Sequence, residues 1–345
     1  MKQEFKNILI VRTDRIGDVV LTTPAIQALR EAYPAAKISI LVNPVTKDLV
    51  TGNSYLDEVF IDDREREHKG KGFLKLVSTL RKKKFDLAII FHTKRRANLL
   101  CFLAGIPRRV GYKNNKLGFL LTHPIEDKRH LGEKHEAQYC LDVLRHLGVE
   151  TNHFEISIPI QRKAEQWLKE FEQNNQIKAS DQMIAVHAGA SDPSKRWPEA
   201  RFAEMIDILM KCYPVKVVLI GGADIKEISE KILSLVSRPI LDLTGKTSVG
   251  ELAALLKRCA LLISNDSGPV HVAAGVGTPV VSIFTRNHLG INPERWRPLG
   301  EKCRVVSVMA APWGLSADEP PTSHKFQPIP VQEVFEAVDA IFKLC

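Results

Sequence analysis

Residues 261–284 read LLISNDSGPVHVAAGVGTPVVSIF. Leu261–Ser264 is a short apolar run fit for a buried strand, and it ends in the polar turn Asn265-Asp266. Ser267-Gly268 then opens a small-residue helix, in which Ala273 and Ala274 let the helix lie close on a sheet. Pro279–Phe284 is a second apolar run. A strand, a tight turn, a helix and a further strand make the unit from which parallel α/β sheets are built.

The same alternation extends outward in both directions. Strand candidates in the first half are Asn7–Arg12, Lys37–Asn43, Glu58–Asp62, Phe85–Phe91 and Arg108–Tyr112. Helical intervals include Val19–Tyr33, Phe73–Lys84, Lys94–Ala104 and Lys134–Leu147, the last stopped by Gly148. Ile156–Ile160 leads into the polar helix Lys163–Asn174. Strands resume at Met183–His187, Val215–Ile220, Pro239–Leu243, Leu261–Ser264 and Pro279–Phe284. With 345 residues, about twice a common domain length, the chain is expected to be α/β in two doubly wound domains. These span 1–165 and 166–330, and a closing helix within 331–345 is expected to pack back across the first. Ligands of such sheets bind outside the carboxyl ends of the strands, so a cleft between two of them is where the informative residues should gather.

Composition narrows the class. Hydrophobic residues make up 44% and charged residues 26%, the balance of an ordinary globular chain. Lys2, Glu4 and Lys6 precede an apolar run of only Ile8–Val11, too short for a signal-peptide core, so a cytoplasmic location is expected. No apolar stretch approaches the ~18 residues of a membrane span, so any membrane contact is expected to be peripheral. The six cysteines, 101, 140, 212, 259, 303 and 345, form no CxxC pair and read as reduced thiols. Residues 1–160 hold 27 Lys and Arg against 19 Asp and Glu, the remainder 22 against 21, so the first half supplies +8 of the net +9. That excess suits an anionic partner or merely a well-solvated surface. The basic residues are not interleaved with stacking aromatics, which argues against nucleic acid.

Three segments carry candidate chemistry. Arg12-Thr13-Asp14-Arg15-Ile16-Gly17-Asp18 follows the first strand with one glycine where a dinucleotide fingerprint needs three, so hydride transfer is disfavoured. Asp18 stands at a helix start, either as a general base or as an N-cap, and Asp14 competes for the first role while being better placed to pair with Arg12 or Arg15. Pro24 marks either a new first turn behind a Thr23 cap or a kink. Ala188–Pro198 is a small-residue loop containing Ser191, Lys195 and Arg196, fit for a diphosphate or for solvent, with Trp197 suited to the core. The turn Asp266-Ser267-Gly268 places helix N–H groups at a strand end, with His271 one turn in. Gly221-Gly222-Ala223-Asp224 ends another strand and could take ribose hydroxyls or form a simple turn. Gly245-Lys246-Thr247 is no P-loop, because Ile240 occupies the position of its first glycine. There is no HExxH, no DxD and no carboxylate cage, so metal-free chemistry is expected.

Taken together, Arg12–Asp18, His187–Pro198 and Ser264–Phe284 resemble glycosyltransferase family 9, the ADP-heptose:lipopolysaccharide heptosyltransferases. The helix that contains His135 and the segment Asn292-Pro293-Glu294-Arg295-Trp296-Arg297-Pro298 extend the resemblance along nearly the whole chain. It implies a GT-B fold of two Rossmann-like domains facing a central cleft, with the acceptor on the first and the sugar nucleotide on the second. It also implies an inverting, metal-independent transfer from ADP-L-glycero-D-manno-heptose to the anionic inner core of lipopolysaccharide. On that pattern Asp18 is the base, while Ser191, Lys195, Asp266, Ser267, Gly268 and His271 bind the donor. Asp224 and Thr247 fall near the nucleoside, Thr247 replacing an apolar residue of some members. Arg64, Lys94, Arg95 and Arg96 are the expected acceptor contacts. Rival readings are another GT-B enzyme, hexosyltransferase or epimerase, and a non-enzymatic protein that binds anionic glycans. Trp313–Lys325 has no counterpart in the family pattern.

Overall fold

A computed structural model describes residues 4–152, 154–308 and 329–342; the segment 313–325 lies outside these. The chain divides into two compact units, one of Met1–His130 with Lys134–Gln161, the other of Leu131–Glu133 with the chain from Arg162 on. The division falls just ahead of a helix that begins at Arg162, a few residues before the boundary expected at 165.

The first unit runs β1 (Asn7–Val11), α1 (Ile16–Val20), α2 (Thr23–Ala32), β2 (Lys37–Val42), β3 (Glu58–Ile61), α3 (Lys71–Lys82), β4 (Leu87–Ile90), α4 (Arg95–Leu103), β5 (Arg108–Tyr112), β6 (His123–Ile125) and α5 (Glu136–Arg145). Its strands form one parallel sheet in the order β3-β2-β1-β4-β5-β6. Ile8, Leu9, Ile10 and Val11 of β1 are all buried, as are all four residues of β4. Sheets covered on both faces need such continuous apolar strands, and each side chain so buried contributes roughly 1.5–3 kcal/mol.

The second unit runs α6 (Arg162–Asn174), β7 (Gln182–His187), α7 (Glu199–Cys212), β8 (Val215–Leu219), α8 (Lys226–Leu235), β9 (Leu241–Asp242), α9 (Val249–Arg258), β10 (Leu261–Asn265), α10 (Gly268–Gly275), β11 (Val280–Phe284), α11 (Pro293–Trp296), β12 (Cys303–Ser307) and α12 (Val331–Phe342). Its sheet is again parallel, in the order β12-β11-β10-β7-β8-β9.

Several sequence expectations are corrected. The helix expected over Val19–Tyr33 is two helices, and Arg15 rather than Asp18 occupies the N-cap position of the first. Pro24 therefore sits in the first turn of a new helix, behind Thr22 and not Thr23. The two edge strands β6 and β12 escaped a search for apolar runs. β6 contains Pro124 and exposes its first two residues, which an edge tolerates because its outer N–H groups need no strand partner. The helix expected to pack back across the first domain has Val331, Val334, Val338 and Ile341 in the core of the second unit, against α7, β11 and β12.

Candidate active site

In a doubly wound sheet the loops after the two strands flanking the reversal of chain direction diverge and leave a crevice. In the first unit those strands are β1 and β4, and in the second β7 and β10. The motif residues follow these four strands.

Arg12, immediately after β1, is 1% exposed. Its Nη1 donates to the Phe91 carbonyl at 2.8 Å, just beyond β4, and its Nε to the Asp18 carbonyl at 3.2 Å. Its Nη2 is shared between Asp18 Oδ1 at 2.8 Å and Glu136 Oε1 at 3.2 Å, and Asp14 Oδ1 lies 3.3 Å from Nε. Burying an ion costs several kcal/mol, and only a planar fork with five donors can serve so many acceptors at once. Glu136 is held in turn by α5. His135 caps that helix, its Nδ1 accepting from Ala137 N at 3.2 Å while Gln138 Oε1 accepts from His135 N at 3.1 Å. This fixes Glu136 in the first turn, where the helix dipole favours a carboxylate.

Asp18 is the third residue of α1, so its side chain is not engaged as a cap. Its carboxyl is pushed up to about 6, chiefly by burial, with Arg12 opposing and the negative charges of Asp14 and Glu136 adding to the rise. A carboxyl in that range is largely ionised at neutral pH and still a competent proton acceptor. Thr13 Oγ1, in the same connection after β1, is 2.9 Å from His92 Nε2, which follows β4, and burial pulls His92 down to about 4, so the ring is neutral. Lys94 Nζ donates to the Thr13 carbonyl at 3.4 Å, and burial lowers its pKa. Arg64 and Arg95 are exposed. Arg96 forks onto Asp62 at 2.7 Å through both Nε and Nη2, and donates to the His68 carbonyl. It is tied to the loop after β3, whereas Arg64 and Arg95 present open cationic surface.

In the second unit His187 ends β7 and Ser264 is its partner on β10. His187 Nδ1 lies 3.2 Å from Ser264 Oγ and 3.1 Å from Ser267 Oγ. Burial pulls this imidazole down to about 4, so it orients hydroxyls rather than supplying charge. Lys195 supplies the charge: its Nζ contacts Asp266 Oδ2 at 2.5 Å. Burial raises the Asp266 pKa against the pull of Lys195. Asn265 ties the loop to the strand, donating to the Ala188 carbonyl at 2.7 Å and accepting from Trp197 N at 2.9 Å. Trp197 is core, packed edge-on against Phe202 with its indole N–H on the Ile329 carbonyl. Ser267 precedes α10 and Gly268 opens it, leaving the first N–H groups of an eight-residue helix beside Lys195 and Asp266.

The other expected donor residues are placed less uniformly. Ser191 is exposed in the same loop as Lys195, Asp224 is exposed after β8 with its charge felt by His187, and Thr247 is half-buried just ahead of α9. His271 is 3% exposed in the body of α10. Sequence reasoning missed His92 and His187, although the first follows an apolar strand and the second closes one, and both could have been marked on that ground. It missed Glu136, whose approach to Arg12 across 124 positions no local signal carries. It also missed Arg286, which bonds Asp192 at 2.5 Å and Ser194 at 2.9 Å and so braces the Lys195 loop. Among the described residues no group of three or more His, Cys, Asp or Glu side chains is arranged to hold a metal ion.

Polar clusters at the switch points of two parallel sheets, one built around a carboxylate and one around an ammonium and a helix end, define a two-unit Rossmann-like enzyme. The model of glycosyltransferase family 9 (heptosyltransferase) matches residues 73–316, and the chain belongs to that family; it is a glycosyltransferase. It is 28% identical to lipopolysaccharide heptosyltransferase 3 of Escherichia coli K12, over 94% of this chain and 95% of that protein. A crystal structure of a glycosyl transferase family 9 protein from Veillonella parvula superposes with a TM-score of 0.90 at 26% identity, covering 100% of this chain and 99% of that one. The E. coli ADP-heptose lps heptosyltransferase II shares the fold, with a TM-score of 0.78 at 22% identity over 98% and 99% of the two chains. The fold is thus of the GT-B class.

Proposed function

We propose that the chain is an inverting, metal-independent heptosyltransferase that moves heptose from ADP-L-glycero-D-manno-heptose to the inner core of lipopolysaccharide. Family membership and the names of its relatives supply the substrate class. The observation that carries the mechanism is Asp18, a carboxylate free of capping duty and held basic inside the Arg12 cluster. Asp18 takes the proton of the acceptor hydroxyl as that oxygen bonds to the anomeric carbon. The bond from that carbon to the ADP oxygen breaks on the opposite face, and ADP leaves with the electron pair. Lys195 and the N–H groups at Gly268 neutralise the charge developing on the diphosphate. Ser191, Asp266, Ser267 and His271 shape that pocket, and Asp224 and Thr247 take the nucleoside. Lys94, Arg64 and Arg95 meet the anionic core sugars, with Arg96 bracing the loop that carries Arg64. The enzyme works at the cytoplasmic face of the inner membrane.

The test is purified protein incubated with ADP-heptose and truncated lipopolysaccharide, followed by mass spectrometry. A gain of one heptose, undiminished by EDTA, is expected. Product formed only from a UDP- or GDP-hexose in the same screen would replace the donor assignment, and binding of the glycan without turnover would end the enzymatic one.

A further inference from the structure

The stretch from Leu87 to Ile125 contains seven Lys and Arg residues and not one Asp or Glu. Within it a turn projects Phe119 at 80% exposure, and Phe102 at the end of α4 is 45% exposed. Arg109 joins the two, its guanidinium 5.5 Å from the Phe102 ring and its Nε donating to the Leu120 carbonyl at 2.7 Å. Lys113 and Lys116, both exposed, precede Phe119 in the same turn.

The turn is built rather than loose. Asn114 accepts from Lys116 N and donates to the Tyr112 carbonyl, each at 2.8 Å, and Asn98 of α4 donates to the Lys116 carbonyl at 3.2 Å. Leu117 is held at φ 63°, a left-handed conformation unfavourable for a residue with a side chain, and it starts the single 3-10 turn that carries Phe119. Backbone strain and a set of side-chain hydrogen bonds thus hold an aromatic ring out in solvent, where on its own it gains nothing. An apolar ring flanked by lysines, on a segment empty of carboxylates, matches one occupant: the interfacial layer of an anionic bilayer, which accepts apolar tips and attracts nearby cations.

We propose that this corner of the first unit is a membrane-docking surface, with Phe119 and Phe102 entering the interface and Lys113 and Lys116 meeting lipid phosphates. The inference deepens the proposed function, since a lipid-linked acceptor is met at such a surface, but its test does not use the transfer reaction. Full-length protein is sedimented with vesicles of phosphatidylethanolamine and phosphatidylglycerol, and in parallel with phosphatidylcholine alone. Pelleting with the anionic vesicles only is expected, weakening about fivefold for each of Lys113→Ala and Lys116→Ala, and about tenfold for Phe119→Ser. A Phe119→Trp variant should show blue-shifted emission on anionic vesicles. Three results would each overturn the proposal: equal pelleting with phosphatidylcholine, pelleting of the Phe119→Trp variant with no shift in its emission, or a vesicle-free self-association abolished by Phe119→Ser. Phe119→Ser should retain its melting temperature and its turnover of a lipid-free acceptor. Absence of any turnover together with intact docking would sink the proposed function and leave this surface standing.

Discussion

At the scale of single residues the first unit is governed by a charge imbalance. Arg12 faces the carboxylates of Asp14, Asp18 and Glu136, and those that keep some contact with solvent are where a proton can come and go. Asp18 and Asp14 retain 14% and 13% side-chain exposure against 2% for Glu136, and of the two Asp18 makes the shorter contact with Arg12, 2.8 Å against 3.3 Å. Because the Asp18 carboxyl sits near 6, kcat/KM should be flat above about pH 7 and fall tenfold per unit below about pH 6, as the base becomes protonated. Asp18→Asn should lose about 10²- to 10⁴-fold in turnover while leaving the ADP affinity measured by calorimetry unchanged; near-normal turnover would remove Asp18 from the mechanism. Glu136→Gln deletes a negative charge that raises Asp18, while the amide oxygen still accepts from Arg12 Nη2. Loss of that charge lowers the Asp18 pKa, so the acidic limb should move to lower pH, a displacement that a purely structural role for Glu136 would not produce. In the second unit Lys195→Ala should weaken ADP binding by about tenfold or more, with unchanged affinity counting against its assignment to the diphosphate.

At the scale of elements, each site is held by a connection that sequence pattern describes imperfectly. The early start of α1, with Arg15 at its N-cap, frees Asp18, which a helix begun at Val19 would have left at a cap; α1 then breaks before α2. The break has a local cause: Thr22 and Thr23 turn their hydroxyls back onto the carbonyls of Asp18 and Val20, and Pro24 cannot donate the N–H that continuity requires. The closing helix α12, whose apolar face lies in the core of the second unit, yields the corresponding stability prediction. Val334 and Val338 are fully buried in the core that also contains Trp197. Truncating either to alanine should cost about 2 kcal/mol in urea unfolding of the second unit, and a loss below about 0.5 kcal/mol would show that the helix is peripheral to that core.

At the scale of the whole molecule, the net charge of +9 comes almost wholly from the first half of the chain. Exposed charges more than about 8–10 Å apart are screened at physiological ionic strength, whereas a buried pair such as Lys195 and Asp266 is not. Raising salt from about 50 mM to about 500 mM should therefore raise KM for an anionic acceptor severalfold and alter KM for ADP-heptose much less. Equal sensitivity of the two would show that the basic excess has no part in acceptor recognition.

The sequence by itself determined the α/β class, most of the parallel strands and the two strand-end motifs, because apolar periodicity and turn chemistry are short-range properties written into adjacent residues. It also placed Asp18, Lys195 and Asp266 in the segments that follow strands, where such sheets bind ligands. Only the tertiary structure decided that Arg12 is shared with Glu136, that His187 bridges two serines, that Arg96 is bound to Asp62, and where α12 docks. These are meetings of groups tens to more than a hundred positions apart. Their energies depend on burial and on which neighbours the parallel crossovers bring together, and no window of sequence contains that information.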